Sequence, residues 1–397
     1  MPKITPAKRT WNIKYAIRDL VVEAQKLEKQ GRKILYLNIG DPMKFDFQTP
    51  RHMVDAVKAN EAKSEGYADS MGLLEARAAV AKEAERKGIK GATEEDILIS
   101  NGSSEGIMLC LGALMNQGEN VLTPLPGYPL YTALVNYFDG KYNPYHLDEE
   151  NDWQIDIDDV KKKINEKTKG IIIINPNNPT GSLYTESTLK ELINLAAQHD
   201  LVIFSDEIYD KLILDNEKYY SVAALTDEVP VVTFNGLSKS YLCPGWRVGW
   251  SIFSGPKESM EEYKEACKKL ARARLSSVYP TQYAVKPALE GTQIHLEETN
   301  KKLRERRDFT YKRLNEIDRI SLVKPKGAFY AFAKIDVPVP DEKFVLDLLK
   351  ETGVLVVNGS GFGQKEGENH FRCVFLPEIN VLEEAYNSIE KFVKKNY

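Results

Sequence analysis

Apolar residues recur every three or four positions early in the chain. Ile17, Leu20, Val21, Ala24 and Leu27 fall on one helical face, and Gly31 is placed to end that helix. An apolar strand over 34–39 follows and runs into Gly40-Asp41-Pro42, which stops it. Further short apolar runs bounded by turn residues occur at 97–99, 120–122, 170–174, 201–204 and 231–234. Between them lie amphipathic stretches such as 188–199, where Leu189, Leu192, Ile193 and Ala196 share a face. This alternation predicts repeated βα units and an α/β fold with a mostly parallel sheet. From Tyr279 onward the texture changes: a long charged helical pattern (296–317) leads into Gly327-Ala328-Phe329-Tyr330-Ala331-Phe332 and then mixed short elements.

Composition narrows the picture without deciding it. At 397 residues, a soft prior of about 150 residues per domain gives two or three domains with a large core. Fifty-four basic against 58 acidic side chains leave a net charge of −4, too balanced to point to nucleic acid. Apolar runs such as 170–174 fall far short of the ~20 residues that span a bilayer. The N-terminus lacks the apolar core of a secretion signal, so a cytoplasmic protein is expected. Cys110, Cys243, Cys267 and Cys373 are scattered without metal-ligand spacing, which predicts reduced thiols and no metal site.

Candidate chemistry gathers where apolar runs end. The run 231–234 stops in a small-residue turn that presents Lys239 between Ser238 and Ser240, with Arg247 eight residues on. Lysines usually face solvent; one desolvated near positive charge has a lowered pKa and becomes a nucleophilic amine. Arginine offers a planar fork of donors suited to phosphate. Asn101-Gly102-Ser103-Ser104-Glu105-Gly106 gathers backbone amides and hydroxyls at a helix start, either as a phosphate seat or as an ordinary cap. The prolines of 124–131 fix a rigid turn, in which Tyr128 and Tyr131 pack under the loop or present a ring. Asn175-Pro176-Asn177-Asn178-Pro179-Thr180-Gly181 follows a buried strand, where strand ends line a crevice, though a plain proline-rich turn reads the same way. Asp206 emerges from the run 201–204 and needs a partner, or else caps the next helix. Tyr67 sits in a loop, Gly40 closes the N-terminal strand, and Arg372 lies in the alternating segment 370–375.

Taken together, Ser-Lys-x-Tyr followed by Gly-Trp-Arg-x-Gly, the Asn-Pro-x-Asn-Pro-x-Gly run and the Gly-Ser-x-Phe-Gly run at 359–363 resemble the fold-type I pyridoxal-phosphate aminotransferases of class I and II. Ala16-Ile17-Arg18-Asp19 and Asn38-Ile39-Gly40-Asp41-Pro42 look like the alanine aminotransferase-like branch of archaea and bacteria. The resemblance implies a large domain over 46–280, with a central mostly parallel sheet flanked by helices, and a smaller α/β domain from 1–45 and 281–397. It implies pyridoxal 5′-phosphate bonded covalently to Lys239, with its phosphate held by Gly102, Ser103, Ser104, Ser238 and Arg247. Tyr128 would stack on the cofactor ring, Asp206 would pair with its nitrogen, and Tyr209 and Asn178 would bond its phenolic oxygen. Arg372, Asn178 and Gly40 would hold the substrate carboxylate. Tyr67 would reach a neighbouring subunit's cofactor phosphate, making a homodimer with shared sites.

Alanine with 2-oxoglutarate is the first expectation for the substrates. Aspartate or aromatic transamination comes second, and a pyridoxal-phosphate C–S lyase would share nearly every cofactor residue. A ligand-sensing regulator usually carries an added DNA-binding domain, for which the N-terminal segment offers no room. A dinucleotide oxidoreductase is disfavoured because no Gly-x-Gly-x-x-Gly joins a first strand to a helix. Two positions depart from the family pattern: Gly236 stands where a phosphate-binding serine is common, and Asn358 where proline is common. Neither Arg272 nor Arg274 is clearly dedicated to a distal carboxylate, since a solvent-facing helix explains them equally well.

Overall fold

In the computed structural model the described residues are 4–13 and 16–397, with side chains of Asn12 and 16–19 outside the description. The branch-like stretch Ala16-Ile17-Arg18-Asp19 therefore lies outside the described side chains, as does Ile17 of the first helical face. In chain order the strands are β1 (Leu35–Tyr36), β2 (Ile97–Asn101), β3 (Asn120–Leu125), β4 (Asn143–Asp148), β5 (Gln154–Ile155), β6 (Thr168–Ile174) and β7 (Val202–Asp206). They continue as β8 (Val231–Gly236), β9 (Val248–Ser254), β10 (Ile320–Ser321), β11 (Tyr330–Ile335), β12 (Val354–Leu355), β13 (Val357–Asn358) and β14 (His370–Val374).

Eight strands form one sheet in the order β2-β9-β8-β7-β6-β3-β4-β5. The contiguous block β8-β7-β6-β3-β4 is parallel; β9 and β5 flank it antiparallel, and β2 pairs antiparallel with β9 and so runs with the block. The parallel strands are buried on both faces, which is why they read as continuous apolar runs. In β6, Ile172 and Ile174 pack on one side with Ile107, Leu111 and Met260, while Ile171 and Ile173 pack on the other with Leu189, Leu192 and Ala196. Each such isoleucine, fully buried, contributes about 1.5–3 kcal/mol. The expected helix over 188–199 runs Glu186–Gln198, and the Thr185 side chain caps it by accepting from Thr188 N–H. The charged helix expected over 296–317 runs Ile294–Asn315.

Three strands of this sheet escape the hydrophobic pattern. β4 (Asn-Pro-Tyr-His-Leu-Asp) alternates between buried and half-buried positions near the sheet edge, and β5 has only two residues. β9 is broken by Gly249 and two serines; a Cβ on Gly249 would lie 2.2 Å from the Ser103 amide nitrogen, so glycine lets β9 pass against the turn before Ser103.

The remaining sheets draw on both ends of the chain. β11, β14, β13 and β10 make an antiparallel sheet, and β1 pairs parallel with β12. The strand expected over 34–39 is regular only at Leu35–Tyr36. Its neighbours stay tethered, with Leu37 N–H donating to Leu355 O at 2.9 Å and Val374 N–H donating to Leu37 O at 2.9 Å. This tether leads the chain past Asn38 and Gly40 into a cleft. A second apolar cluster packs Leu35, Leu37 and Phe47 against Leu303, Phe344, Phe371 and Phe392, and reaches Tyr209 and Leu212. All four cysteines are buried and unbridged, and among the described residues no helix is long and apolar enough to cross a membrane.

Candidate active site

Strands β6, β7 and β8 end side by side, and the segments leaving them form one wall of a cavity of about 660 Å³. Every residue to which the family resemblance gives a role lines it except two. Gly102 lies just behind it, and Tyr67 is 82% exposed and stands outside it.

One end of the cavity is built to take an anion. The helix Ser103–Leu114 starts there with Gly102 at its N-cap (φ 75°) and no side-chain cap bond, so its leading amides are not closed off by a capping side chain. Ser103 and Ser104 add hydroxyls. Arg247, itself in the left-handed region (φ 54°), is steadied by donation to Pro244 O at 3.0 Å and Asn101 O at 3.4 Å. Its guanidinium covers Gly102 so closely that a Cβ there would sit 2.2 Å from Nη2. Gly236, the departure in this region, has a local cause: a Cβ would come 2.6 Å from the Val248 carbonyl on β9. Its own N–H donates to Asn235 Oδ1 at 2.7 Å, and Ser238 is the hydroxyl that reaches the cavity.

The cavity floor carries the titratable groups. Lys239 Nζ donates to Gly40 O at 2.7 Å and lies 5.5 Å from the Phe329 ring centre. Burial pushes its pKa down to about 8, aided by Arg372 and Arg247 and opposed by Asp41 and Asp206. The amine therefore sheds its proton far more readily than an exposed lysine. Asp206, at the end of β7, is buried, and burial lifts its carboxyl to about 6 against the pull of Tyr131. The Tyr131 hydroxyl donates to its Oδ2 at 2.8 Å and Ile208 N–H donates to Oδ1 at 3.3 Å.

At the opposite end Arg372 is 2% exposed, its guanidinium 4.5 Å from the ring centres of both Tyr330 and Phe362. It donates to Asn178 Oδ1 at 3.0 Å and to the Asn38 carbonyl at 2.5 Å. Accepting through its oxygen leaves the Asn178 amide nitrogen as the donor end of that side chain. Tyr209 shares a hydrogen bond of 2.9 Å with Tyr330, hydroxyl to hydroxyl.

Comparison with known proteins reads the same layout. The profile described as aminotransferase class I and II matches residues 32–389. The glutamate-pyruvate aminotransferase AlaA of Haemophilus influenzae is 45% identical over 94% of this chain and 93% of its own, and that of Escherichia coli K12 is 41% identical over 99% and 98%. The solved structure of an alanine aminotransferase from Pyrococcus furiosus superposes with a TM-score of 0.96 at 47% identity, covering 99% of this chain and 100% of its own. The chain belongs to the class I and II aminotransferases. It is a fold-type I transaminase.

A class I and II aminotransferase works with pyridoxal phosphate, and the residues present fit that group. They supply a helix start and an arginine for a phosphate, an amine of lowered pKa, and a buried carboxylate at a strand end. Sequence reasoning did not identify four contributors. Tyr131 holds Asp206, the Tyr330 and Phe362 rings pack against Arg372, and the Asn38 carbonyl accepts from it. Tyr131 carried a signal, since it lies three residues past Tyr128 in a rigid turn while Asp206 needed a partner. The backbone acceptor at Asn38 carried none. Arg272 pairs with Glu265 on the helix Lys257–Ala273, and Arg274 pairs with Glu105 at 3.3 Å; neither lines the cavity.

Proposed function

We propose that the protein is an alanine transaminase, exchanging the amino group between alanine and 2-oxoglutarate, with pyridoxal phosphate bonded to Lys239. One observation carries this reading: a half-buried lysine of lowered pKa shares a single cavity with a buried carboxylate and a buried arginine. Gly102, Ser103, Ser104, Ser238 and Arg247 would take the phosphate, and Tyr128 the ring face. Asp206 would take the ring nitrogen, and Tyr209 and Asn178 the phenolic oxygen. Bound there, pyridoxal phosphate supplies a ring that accepts the electron pair released when the amino acid loses its α-proton.

The chain's own groups do the rest. Arg372 and the Asn178 amide hold the substrate carboxylate, with the Gly40 backbone closing the third side. Lys239 Nζ, once released, is a base of suitable strength near neutral pH and carries the α-proton away from and back to carbon. Asp206, anionic above about pH 6, keeps positive charge on its partner. Tyr131 holds that carboxylate in place. Val21, Val22, Gln25 and Ile39 line the same cavity, offering the substrate side chain apolar contact with one amide. The arrangement is divided as a large unit over 46–280 and a small one from 1–45 and 281–397, with Arg372 and Gly40 on the small side and Lys239 on the large. The exposed Tyr67 fits a role across a homodimer, completing the neighbouring site. Four buried unbridged thiols suit a cytoplasmic setting.

The test mixes the yellow holoprotein with single amino acids and follows the loss of its visible band. Alanine and glutamate are each expected to bleach it, with pyruvate and 2-oxoglutarate restoring it. Bleaching by aspartate or an aromatic amino acid while alanine fails would overturn the substrate assignment. Pyruvate plus ammonia from a cysteine-like substrate, without an oxo-acid acceptor, would make the protein a lyase.

A further inference from the structure

Tyr330, the first residue of β11, touches both ends of the chemistry. Its ring lies under the Arg372 guanidinium at 4.5 Å, and its hydroxyl is 2.9 Å from that of Tyr209. The two tyrosine rings meet edge-on, with centres 5.7 Å apart and planes at 86°. A Cβ on Gly40 would come 2.2 Å from the Tyr330 hydroxyl oxygen, so the backbone at Gly40 packs against that side chain. Both tyrosines are buried. Burial, and the presence of Tyr330 beside it, push the Tyr209 phenol far above its ordinary range, so Tyr209 keeps its proton.

A phenol has one proton to donate. If Tyr209 donates to the phenolic oxygen of the cofactor, the proton between the two hydroxyls belongs to Tyr330. A hydroxyl that accepts one hydrogen bond donates the next more strongly, since the chain of bonds polarises along its length. The ring of Tyr330 acts separately. Together with Phe362, whose ring centre is also 4.5 Å from the guanidinium, it restricts how that group can move, and a flat cation held beside an aromatic face is favoured further where water is excluded.

We propose that Tyr330 is a positioning residue with two separable duties, its hydroxyl directing the proton of Tyr209 toward the cofactor and its ring fixing Arg372 for the substrate carboxylate. This rests on the assignment of Tyr209 to the cofactor's phenolic oxygen given above. The sign follows from which form the bond favours. A proton donated to that oxygen stabilises its deprotonated state and holds the pH midpoint of the bound cofactor's absorption band low; weakening the donor raises the midpoint.

The experiment is a spectrophotometric pH titration of the holoenzyme without substrate, for wild type, Y209F, Y330F and Y330L. Dissociation constants for 2-methylalanine, which has no α-proton to lose, are measured on the same proteins. Y209F is expected to raise the midpoint most. Y330F raises it by roughly 0.2–0.5 unit, as expected for one cooperative bond lost, and leaves 2-methylalanine affinity within about twofold because its ring still supports Arg372. Y330L gives the same midpoint rise and weakens 2-methylalanine by roughly 3- to 30-fold. A Y330F midpoint that stays put or falls, while that of Y209F rises, overturns the first duty and leaves the Tyr209 assignment standing. Equal 2-methylalanine affinity in Y330L and Y330F overturns the second. No shift in Y209F removes the Tyr209 assignment and the inference with it.

Discussion

Replacing Asp206 with asparagine separates what a buried charge costs the fold from what it does in catalysis. Burial lifts the Asp206 carboxyl from 3.8 to about 6. In the unfolded chain it titrates near 3.8, so between the two values the folded protein binds the proton and the unfolded chain does not. Because the folded-state pKa is the higher one, stability falls as pH rises. The penalty starts to build above about pH 4, grows through about pH 6 and levels off beyond. Linkage places it at roughly 1–2 kcal/mol near pH 5 and roughly 3 kcal/mol near pH 8. Asparagine does not ionise, so this pH-dependent part vanishes in the variant. Its amide can satisfy only one of the two donors that the carboxylate accepts from, Tyr131 and Ile208, at a cost of about 1 kcal/mol at any pH. Cofactor-free D206N should therefore be more stable than cofactor-free wild type by roughly 2 kcal/mol near pH 8, and by less than about 1 kcal/mol near pH 5. Urea unfolding of both cofactor-free proteins, at equal concentration and at both pH values, measures the difference. In the loaded enzyme the same substitution should cut turnover by roughly 10²–10³-fold, as for other losses of a preorganised charge partner. A stability difference that does not change between the two pH values, or a D206N protein less stable near pH 8, would refute the reasoning.

Lys239→Ala should bind pyridoxal phosphate without forming a borohydride-reducible adduct and lose turnover, whereas an adduct found by mass spectrometry on another side chain would displace Lys239 from its role. Gly102→Ala puts a Cβ where Arg247 Nη2 lies and forces alanine to φ 75°, so cofactor affinity should drop roughly 10- to 100-fold in a fluorescence titration. Arg372→Lys removes the planar fork that bonds Asn178 and the Asn38 carbonyl; KM for alanine should rise at least roughly 30-fold in a steady-state assay, and an unchanged KM would count against a carboxylate role. Tyr67→Phe should weaken cofactor retention only under conditions where the protein is dimeric, which analytical ultracentrifugation alongside dialysis can test.

The parallel heart of the sheet was legible because each strand is buried on two faces, so 170–174, 201–204 and 231–234 stand out as unbroken apolar runs. β9 was not, because its close approach to the turn at Gly102–Ser103 demands glycine and serine in place of branched side chains. Asn178, Asp206 and Lys239 were legible for a related reason: they lie at or just past the ends of those same runs. Contacts made across the sequence were not. Tyr131 meets Asp206 over a separation of 75 residues, and Arg372 meets the Asn38 carbonyl over 334. No local pattern encodes such pairings, and a main-chain oxygen leaves no mark in residue type at all.

That main-chain oxygen also bears on redesign. One hydrogen-bond acceptor of the Arg372 guanidinium is a peptide group, which side-chain exchange leaves in place. Exchanging the side chain at position 38, which is buried and does not line the cavity, therefore still presents the arginine with that oxygen, so long as the strand entering the cleft keeps its path. Insertions or deletions between positions 34 and 40 carry the opposite risk, since shifting the chain by one residue moves that acceptor and also displaces Gly40 from its contact with Tyr330.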